Sequence, residues 1–446
     1  MKMINRMGAA VIHGGALKTE NDMKNVRHMV ITMLLPLLCA CLCACGESGR
    51  KEEGKKNSGT LQMGCFYEDD LIVLSAPERF LYSEWDGGGF YSICTDPTCS
   101  HLSESCSARV FPESGMMENS LGLVYCDRLI LLHSYAEHVD HDSQAAEGAK
   151  CFDISYVWHT DVYEADLDGQ NRKYRSSFDG SIGSVNSAVL ENGVLYFGGP
   201  IEIRRITEYN EEGAVLRSEA LYSGAFYGVN LEDYSVRRFA ETEGRDSLSY
   251  SYYVSVYDGD VYARVGEAYL ECGNWYRIDP ETGECEEIMR FESDEPWFCG
   301  AVGDSVYYYY NNRPTLYAMD IGTKTEREVL SVEKDRSFLV ASVLKDQIWV
   351  MTDYSMEEGN YMSEYTVLDA EGSVVDFYHF DEYLLFYGVV ENRLIYSVSS
   401  FGEEVYWEEE MYWADLSDIA NLRERSVLIG NADGRKNDPL LYRTNE

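Results

Sequence analysis

The sequence predicts an all-β fold, a β-propeller of seven blades, with six or eight remaining open. Three observations predict it. A short strand-and-turn pattern recurs along the chain, a second pattern follows most of its copies, and Tyr makes up 35 of the 446 residues. Strands favour aromatic side chains. Self-similarity at about 45 residues is the mark of four-stranded blades set around an axis.

The N-terminus reads as an address. Residues 1–22 have no secretory order, which leaves Met1 and Met23 both open as the start. From Met23 a basic region (Lys24, Arg27, His28) precedes an apolar run from Met29 to Ala44, as an export signal requires. The run falls short of the roughly 20 residues that span a membrane. It ends in Leu42-Cys43-Ala44-Cys45-Gly46, which resembles the bacterial lipobox. The resemblance implies lipidation of Cys45 and removal of residues 1–44. An overlapping match ends at Cys41, and an uncleaved anchor helix is the competing reading. Residues 45–60 follow as lipidated Cys and polar tether, and 61–446 as the propeller.

The repeat carries the fold. Its first pattern, a polar turn and then a strand ending in an aromatic, includes Asn192-Gly193-Val194-Leu195-Tyr196, Gly303-Asp304-Ser305-Val306-Tyr307 and Asn392-Arg393-Leu394-Ile395-Tyr396. The second runs from a Tyr to an acid or Asn at a turn: Tyr163 to Asp166, Tyr227 to Asn230, Tyr276 to Asp279, Tyr317 to Asp320, Tyr365 to Asp369 and Tyr412 to Asp415. Gly, Asp and Asn stand where hairpin turns need positive φ. The fifth unit is complete: strands at 297–302, 305–310, 315–319 and 326–330. A pair of β-sandwiches is the competing architecture. Two connections exceed the module, 134–159 and 201–224. The second alternates around Asn210-Glu211-Glu212-Gly213 and predicts a hairpin extending from blade three, either a binding element or a solvated ornament.

Cysteine usage singles out one loop. Cys94, Cys99, His101 and Cys106 place three thiols and an imidazole in 13 residues. That is the donor set of a structural zinc site, although the spacing departs from the usual one. A disulfide and free thiols are the other readings, and the predicted role is a staple replacing the outer strand of blade one. No other cofactor is predicted. Cys272 and Cys285 sit too far apart in register for a disulfide and are expected to be core thiols.

His133, His138 and His141 lie with Asp140 and Asp142 in the first insertion. They are candidate divalent-metal ligands, or a solvated loop. Asp166-Leu167-Asp168-Gly169-Gln170-Asn171 lacks the distal Glu of a calcium loop and reads as a turn. No zinc-protease motif, G-x-S-x-G elbow or phosphate loop is present; Gly87-Gly88-Gly89 lacks the Lys-Ser/Thr that would follow.

Charge excludes some partners. There are 37 basic and 77 acidic residues. Without residues 1–44 the chain carries 32 and 75, a charge of −43. Such a chain does not neutralise phosphates or dock on an anionic bilayer through a basic face.

Lipobox, tether, Tyr-x-x-Asp repeat and the Cys94–Cys106 segment together resemble Gram-positive, clostridial-type lipoproteins whose propellers are TolB-like or YWTD-like in style. The resemblance implies fold and location, on the outer face of the cytoplasmic membrane, and no defined activity. The expected function is a binding or scaffold propeller for a protein, peptide or neutral glycan, with no nucleic-acid role. The alternative is an extracytoplasmic hydrolase or lyase, glycan-directed, working from the central channel. The inner strands read apolar and small, which favours binding.

Overall fold

In the computed structural model of the protein the recurring pattern becomes a β-propeller of antiparallel sheets. It describes residues 58–431 apart from 62–64, 69–70, 77–78, 86–90, 95, 97–98, 100–105, 109–117, 142–149, 184–187, 247–249, 258, 268–271, 292–295, 311–312, 333–339, 345, 358–359, 402–406 and 423–425. The chain divides into two units, Met1–Ala40 and Cys41–Glu446. The first lies outside the described residues.

The first sheet holds β1 (Ser58–Leu61), β2 (Cys65–Glu68), β3 (Leu71–Ala76), β4 (Arg79–Glu84) and β5 (Tyr91–Ser92), in that order. The second has eight strands: β6 (Glu118–Tyr125), β7 (Arg128–Asp140), β8 (Lys150–Ala165), β9 (Lys173–Asp179), β10 (Val189–Glu191), β11 (Val194–Tyr209), β12 (Val215–Asn230) and β13 (Val236–Asp246). Four regular four-stranded meanders follow. They are β14 (Tyr250–Tyr257), β15 (Asp260–Glu267), β16 (Cys272–Ile278) and β17 (Cys285–Phe291); then β18 (Pro296–Val302), β19 (Ser305–Tyr310), β20 (Arg313–Asp320) and β21 (Glu326–Ser331). Next come β22 (Val340–Leu344), β23 (Gln347–Glu357), β24 (Asn360–Leu368) and β25 (Val374–Phe380); then β26 (Leu384–Val390), β27 (Arg393–Phe401), β28 (Trp407–Asp415) and β29 (Val427–Asn431). One 3-10 turn, Leu416–Asn421, follows β28.

Burial falls from the first strand of each meander to the last. All seven residues of β26 are buried, as a strand covered on both faces requires. The last strands are largely exposed: β25 exposes its first four residues, Val374, Val375, Asp376 and Phe377, and β21 its first three, Glu326, Arg327 and Glu328. Charged side chains on such edges discourage pairing with other chains.

Tyrosine does more than fill strands. At successive seams a ring is buried against one sheet while its polar tip donates to a backbone carbonyl of the next. Tyr257 Oη donates to Cys299 O at 3.0 Å, Tyr307 to Ala370 O at 2.6 Å and Tyr365 to Leu384 O at 2.8 Å. Such side chains combine a large apolar contact with one satisfied hydrogen bond. The first and last sheets meet the same way. Trp413 Nε1 donates to Trp85 O, and Tyr67, Ile72, Leu81 and Trp85 pack with Tyr387, Ile395, Met411 and Ile429.

Two readings of the sequence change. Ser58–Thr60, assigned to the tether, are strand: β1 pairs with β2 and its backbone also approaches β10, so it lies on the axial side of the first sheet. Cys285 is not a core thiol but exposed. It pairs with Ile278 rather than Arg277 or Tyr276, because the turn from Asp279 to Glu284 takes one residue fewer from β17. The hairpin expected from blade three is present as β11–β12, turning at residues 210–214.

Candidate functional site

The turns that follow each Tyr-x-x-Asp pattern are built alike. Asp279 Oδ1 accepts from the backbone N–H groups of Glu281 and Thr282, Asp320 Oδ1 from Thr323, and Asp369 Oδ1 from Glu371 and Ser373. Asn230 and Asp415 accept from the residues two further on, Glu232 and Ser417. Asp166 takes Asn171 Nδ2 at 2.6 Å, and Asp168 caps Gln170. These backbone donors hold the Asp279 and Asp320 carboxyls below their usual range. The residue after the acid donates back to the first hairpin turn of the same repeat: Leu231 to Gly193 O, Ile321 to Asp304 O and Leu416 to Asn392 O. The acids of the repeat therefore tie two turns together.

The loop after β5 gathers three thiols. Cys94, Cys99 and Cys106 place their Sγ atoms within 4.8 Å of one another, and they are the one group of metal-type donors of this kind among the described residues. All three are thiols in the structure. Phe80 N–H donates to Ala108 O, Ile93 N–H to Phe80 O, Cys94 N–H to Ser92 O and Cys99 N–H to Asp96 O. Ser107 Oγ reaches Ile93 O at 3.2 Å. Val73, Phe80, Ile93, Val124 and Leu131 pack around the cluster, so it sits where the first two sheets meet. Burial raises the Cys106 thiol, and the neighbouring thiols add to this. Burial acts upward on Cys94 too, but the Asp96 N–H and donors from Ser107, Cys106 and Cys99 outweigh it and lower the thiol. His101, the expected fourth member, lies outside the described residues, as does Cys45.

The three histidines are not brought together. His133 Nδ1 meets Ser120 Oγ at 3.4 Å, and burial lowers its pKa against the pull of Asp161. His138 pairs with Asp140 at 3.0 Å and stacks on Tyr156. His141 Nε2 meets Ser155 Oγ at 2.7 Å. An interval of five along a strand sends His133 and His138 to opposite faces, and eight residues at strand rise separate His133 from His141 by roughly 27 Å.

Both long connections are hairpins, and they join. Lys150–Val157 of β8 pairs in unbroken register with Tyr209–Glu202 of β11, making β7, β8, β11 and β12 one four-stranded platform. On one face the register places the aromatic and apolar residues Phe152, Ile154, Tyr156, Ile203 and Tyr209 among the polar His138, Asp140, Lys150, Arg205 and Thr207. Phe152 is 52% exposed and meets Tyr209 edge to face, with ring centroids 5.7 Å apart. On the opposite face Asp153 and Ser155 are buried. Asp153 takes a two-pronged bond from Arg204, at 2.8 Å on each prong, which with its charge lowers the Asp153 carboxyl against the effect of burial.

Glu68 and Glu164 carry no sequence signal. Glu68 accepts the N–H groups of Cys126 and Asp127. Glu164 is held by Arg128 at 2.8 Å, Arg175 at 2.9 Å and the Tyr234 hydroxyl. Both pin seams.

Among the described residues no helix is long and apolar enough to cross a membrane. No protein family and no curated protein matches the chain. Among solved structures it is similar to one from a mechanistic study of two prolyl endopeptidases, over 64% of this chain and 47% of that one, at 11% identity and TM-score 0.34. Prolyl oligopeptidase B from Galerina marginata is similar over 67% of this chain and 50% of its own, at 10% identity and TM-score 0.35. The chain spans about half the length of these structures, and a likeness at this level carries no argument about activity.

Proposed function

We propose that this chain is a lipid-anchored protein of the outer face of a bacterial cytoplasmic membrane, and that its propeller is a binding scaffold of seven blades. The blade number rests on the eight-stranded sheet, which divides into two meanders, β6–β9 and β10–β13. Each has its own first hairpin and its own capped turn, at Asp166 and at Asn230. The first sheet and the four regular ones supply the other five. The location rests on the apolar run and Cys45, in the manner of the lipoproteins it resembles.

The observation that carries the binding reading is the platform made by the two joined hairpins. It stands outside the blade module and presents Phe152, Tyr156 and Tyr209 on one face, among polar side chains that include Arg205 and Lys150. Aromatic faces of this kind stack on sugar rings and on apolar peptide side chains. The strongly negative field disfavours anionic polymers, so a neutral glycan or a basic peptide is the ligand class. The axis fits catalysis less well. β18 and β26 are apolar throughout, and β1 adds a strand on the axial side.

The test is an array of neutral glycans and basic peptides probed with the full chain and with Phe152→Ser/Tyr156→Ser. The double variant is expected to lose at least about tenfold in affinity, two interfacial aromatics being removed. Unchanged binding in that variant refutes the platform. Turnover of a bound glycan, abolished by changing one axial carboxylate, hands the case to an enzyme. Mass spectrometry of membrane-extracted protein tests the anchor: a diacylglyceryl Cys45 at the N-terminus is expected, and an unlipidated terminus elsewhere refutes it.

A further inference from the structure

We infer that Cys94, Cys99 and Cys106 form a thiolate site for one zinc ion at the seam between the first two sheets. The inference goes beyond the binding reading and stands whatever ligand the platform takes. The three Sγ atoms already lie within 4.8 Å of one another. Zinc binds thiolate sulfur at about 2.3 Å in a tetrahedron, which spaces its sulfurs by about 3.8 Å. Side-chain rotation through about an ångström closes the difference.

The site stands where the sheet lacks its own support. β5 has two residues, whereas β17, β21, β25 and β29 have 7, 6, 7 and 5. Beyond Ser92 the outer edge of the first sheet is held by two backbone bonds at Phe80, from Ile93 and to Ala108, in place of a full strand. Three ligands converge there from separate points of the loop, fixed by the Cys94-to-Ser92, Cys99-to-Asp96 and Ser107-to-Ile93 hydrogen bonds. A metal bonded to all three replaces the missing pairing with a crosslink.

Charge fits as well. Three thiolates and one Zn²⁺ leave a net charge of −1. Arg172 answers it. Its guanidinium donates to Ser107 O, next to Cys106 in the chain, at 2.7 Å and to Gly169 O at 3.3 Å. Gly169, at φ 75°, lets the Asp166 turn approach this closely: a Cβ there would stand 2.5 Å from Ser107 O. Outer partners of this kind orient ligands and tune affinity. Binding exchanges protons for metal with no change of oxidation state. Three S–H groups give three Zn–S bonds and release three protons. Soft sulfur donors select zinc over calcium or magnesium.

The experiment uses the full chain, purified under reducing conditions and stripped of metal with a chelator. It is titrated with zinc against a competing chelator, and separately with cobalt(II), whose visible spectrum reports tetrahedral sulfur coordination. One equivalent of either metal is expected, with the sulfur-type cobalt spectrum. Cys94→Ser, Cys99→Ser and Cys106→Ser should each weaken zinc by at least about 100-fold, and Arg172→Gln by about tenfold. Cys126→Ser and Cys285→Ser should leave it unchanged. Cys94→Ser, at a half-buried position, keeps the test open where the buried Cys106→Ser fails to fold. Absence of a saturable site overturns the inference. So does a site lost in Cys126→Ser, or a disulfide within the cluster in protein isolated from its membrane.

Discussion

Replacing Glu68 tests how the first two sheets are joined. Its side chain is 4% exposed, and its two oxygens accept the N–H groups of Cys126 at 2.5 Å and Asp127 at 3.0 Å. Those residues are the whole turn between β6 and β7, with φ of 51° and 58°. Such a turn matches the twist of its strands, but each non-glycine residue in that region costs about 1–2 kcal/mol. The carboxylate holds the turn in that conformation from the neighbouring sheet. A hydrogen bond to a charged acceptor contributes about 1.5–3 kcal/mol. Cys126 and Asp127 are exposed, so their freed N–H groups regain water, and the lower end applies. Glu68→Ala should cost about 2–4 kcal/mol and Glu68→Gln, which keeps one acceptor, about 1–2 kcal/mol. Cys126→Gly in the Glu68→Ala background should restore about 1 kcal/mol. Urea unfolding followed by tryptophan fluorescence reads all four proteins, because the change appears in the midpoint at constant slope. A Glu68→Ala midpoint indistinguishable from wild type, or Glu68→Gln costing more than Ala, refutes the reasoning.

Glu164 gives a pH dependence. Burial raises its carboxyl, but the Tyr234 hydroxyl, Arg175 and Arg128 outweigh this and hold it at about 2, below the ordinary 4.5. Its contribution is therefore present above pH 4.5 and lost as pH falls towards 2. The full span corresponds to about 3 kcal/mol, and screening of two guanidiniums that are a third exposed reduces it to about 1–2 kcal/mol. Unfolding at pH 7 and pH 3 should show about three fifths of that difference, flattened in Glu164→Gln; an unaltered slope argues against it. Gly199→Ala places a Cβ 1.7 Å from Ser181 O and should cost on the order of 3 kcal/mol or more, measured by thermal unfolding, whereas a soluble variant of wild-type stability contradicts the contact. Tyr307→Phe removes the hydroxyl bonded to Ala370 O and should cost about 1 kcal/mol, read by the same urea curves, with no loss counting against the seam.

The repeat was readable because its chemistry is local. Gly303-Asp304 and Asp320–Thr323 mark turns within a few residues of the strands they join, and the fifth unit matches its predicted strands to within two residues. The convergence of Cys94, Cys99 and Cys106 was readable for the same reason. What the pattern did not carry is contact between distant segments. Nothing in 150–157 signals that it pairs with 202–209, because strand edges have no sequence complementarity of their own. Glu68 is one acid among 77, and only the fold brings it to a turn 58 residues away. The histidines failed in another way. Residues 128–140 form a strand, not a loop, and strand alternation disperses what a loop could have gathered.

The order of sheets follows the order of the chain, and among the described residues no strand is exchanged between the first sheet and the last. The ring is therefore finished late. Trp85 waits for Trp413, 328 residues downstream, which at roughly 5–20 residues per second is about 15–65 s of synthesis. Through that interval the apolar flank formed by Tyr67, Ile72, Leu81 and Trp85 has not yet met the last sheet and must be shielded by a chaperone or tolerated as a sticky surface. A chain cut short before β28 keeps most of its sheets yet cannot close. Truncation near the C-terminus should thus be more damaging, through aggregation, than its small share of the length implies.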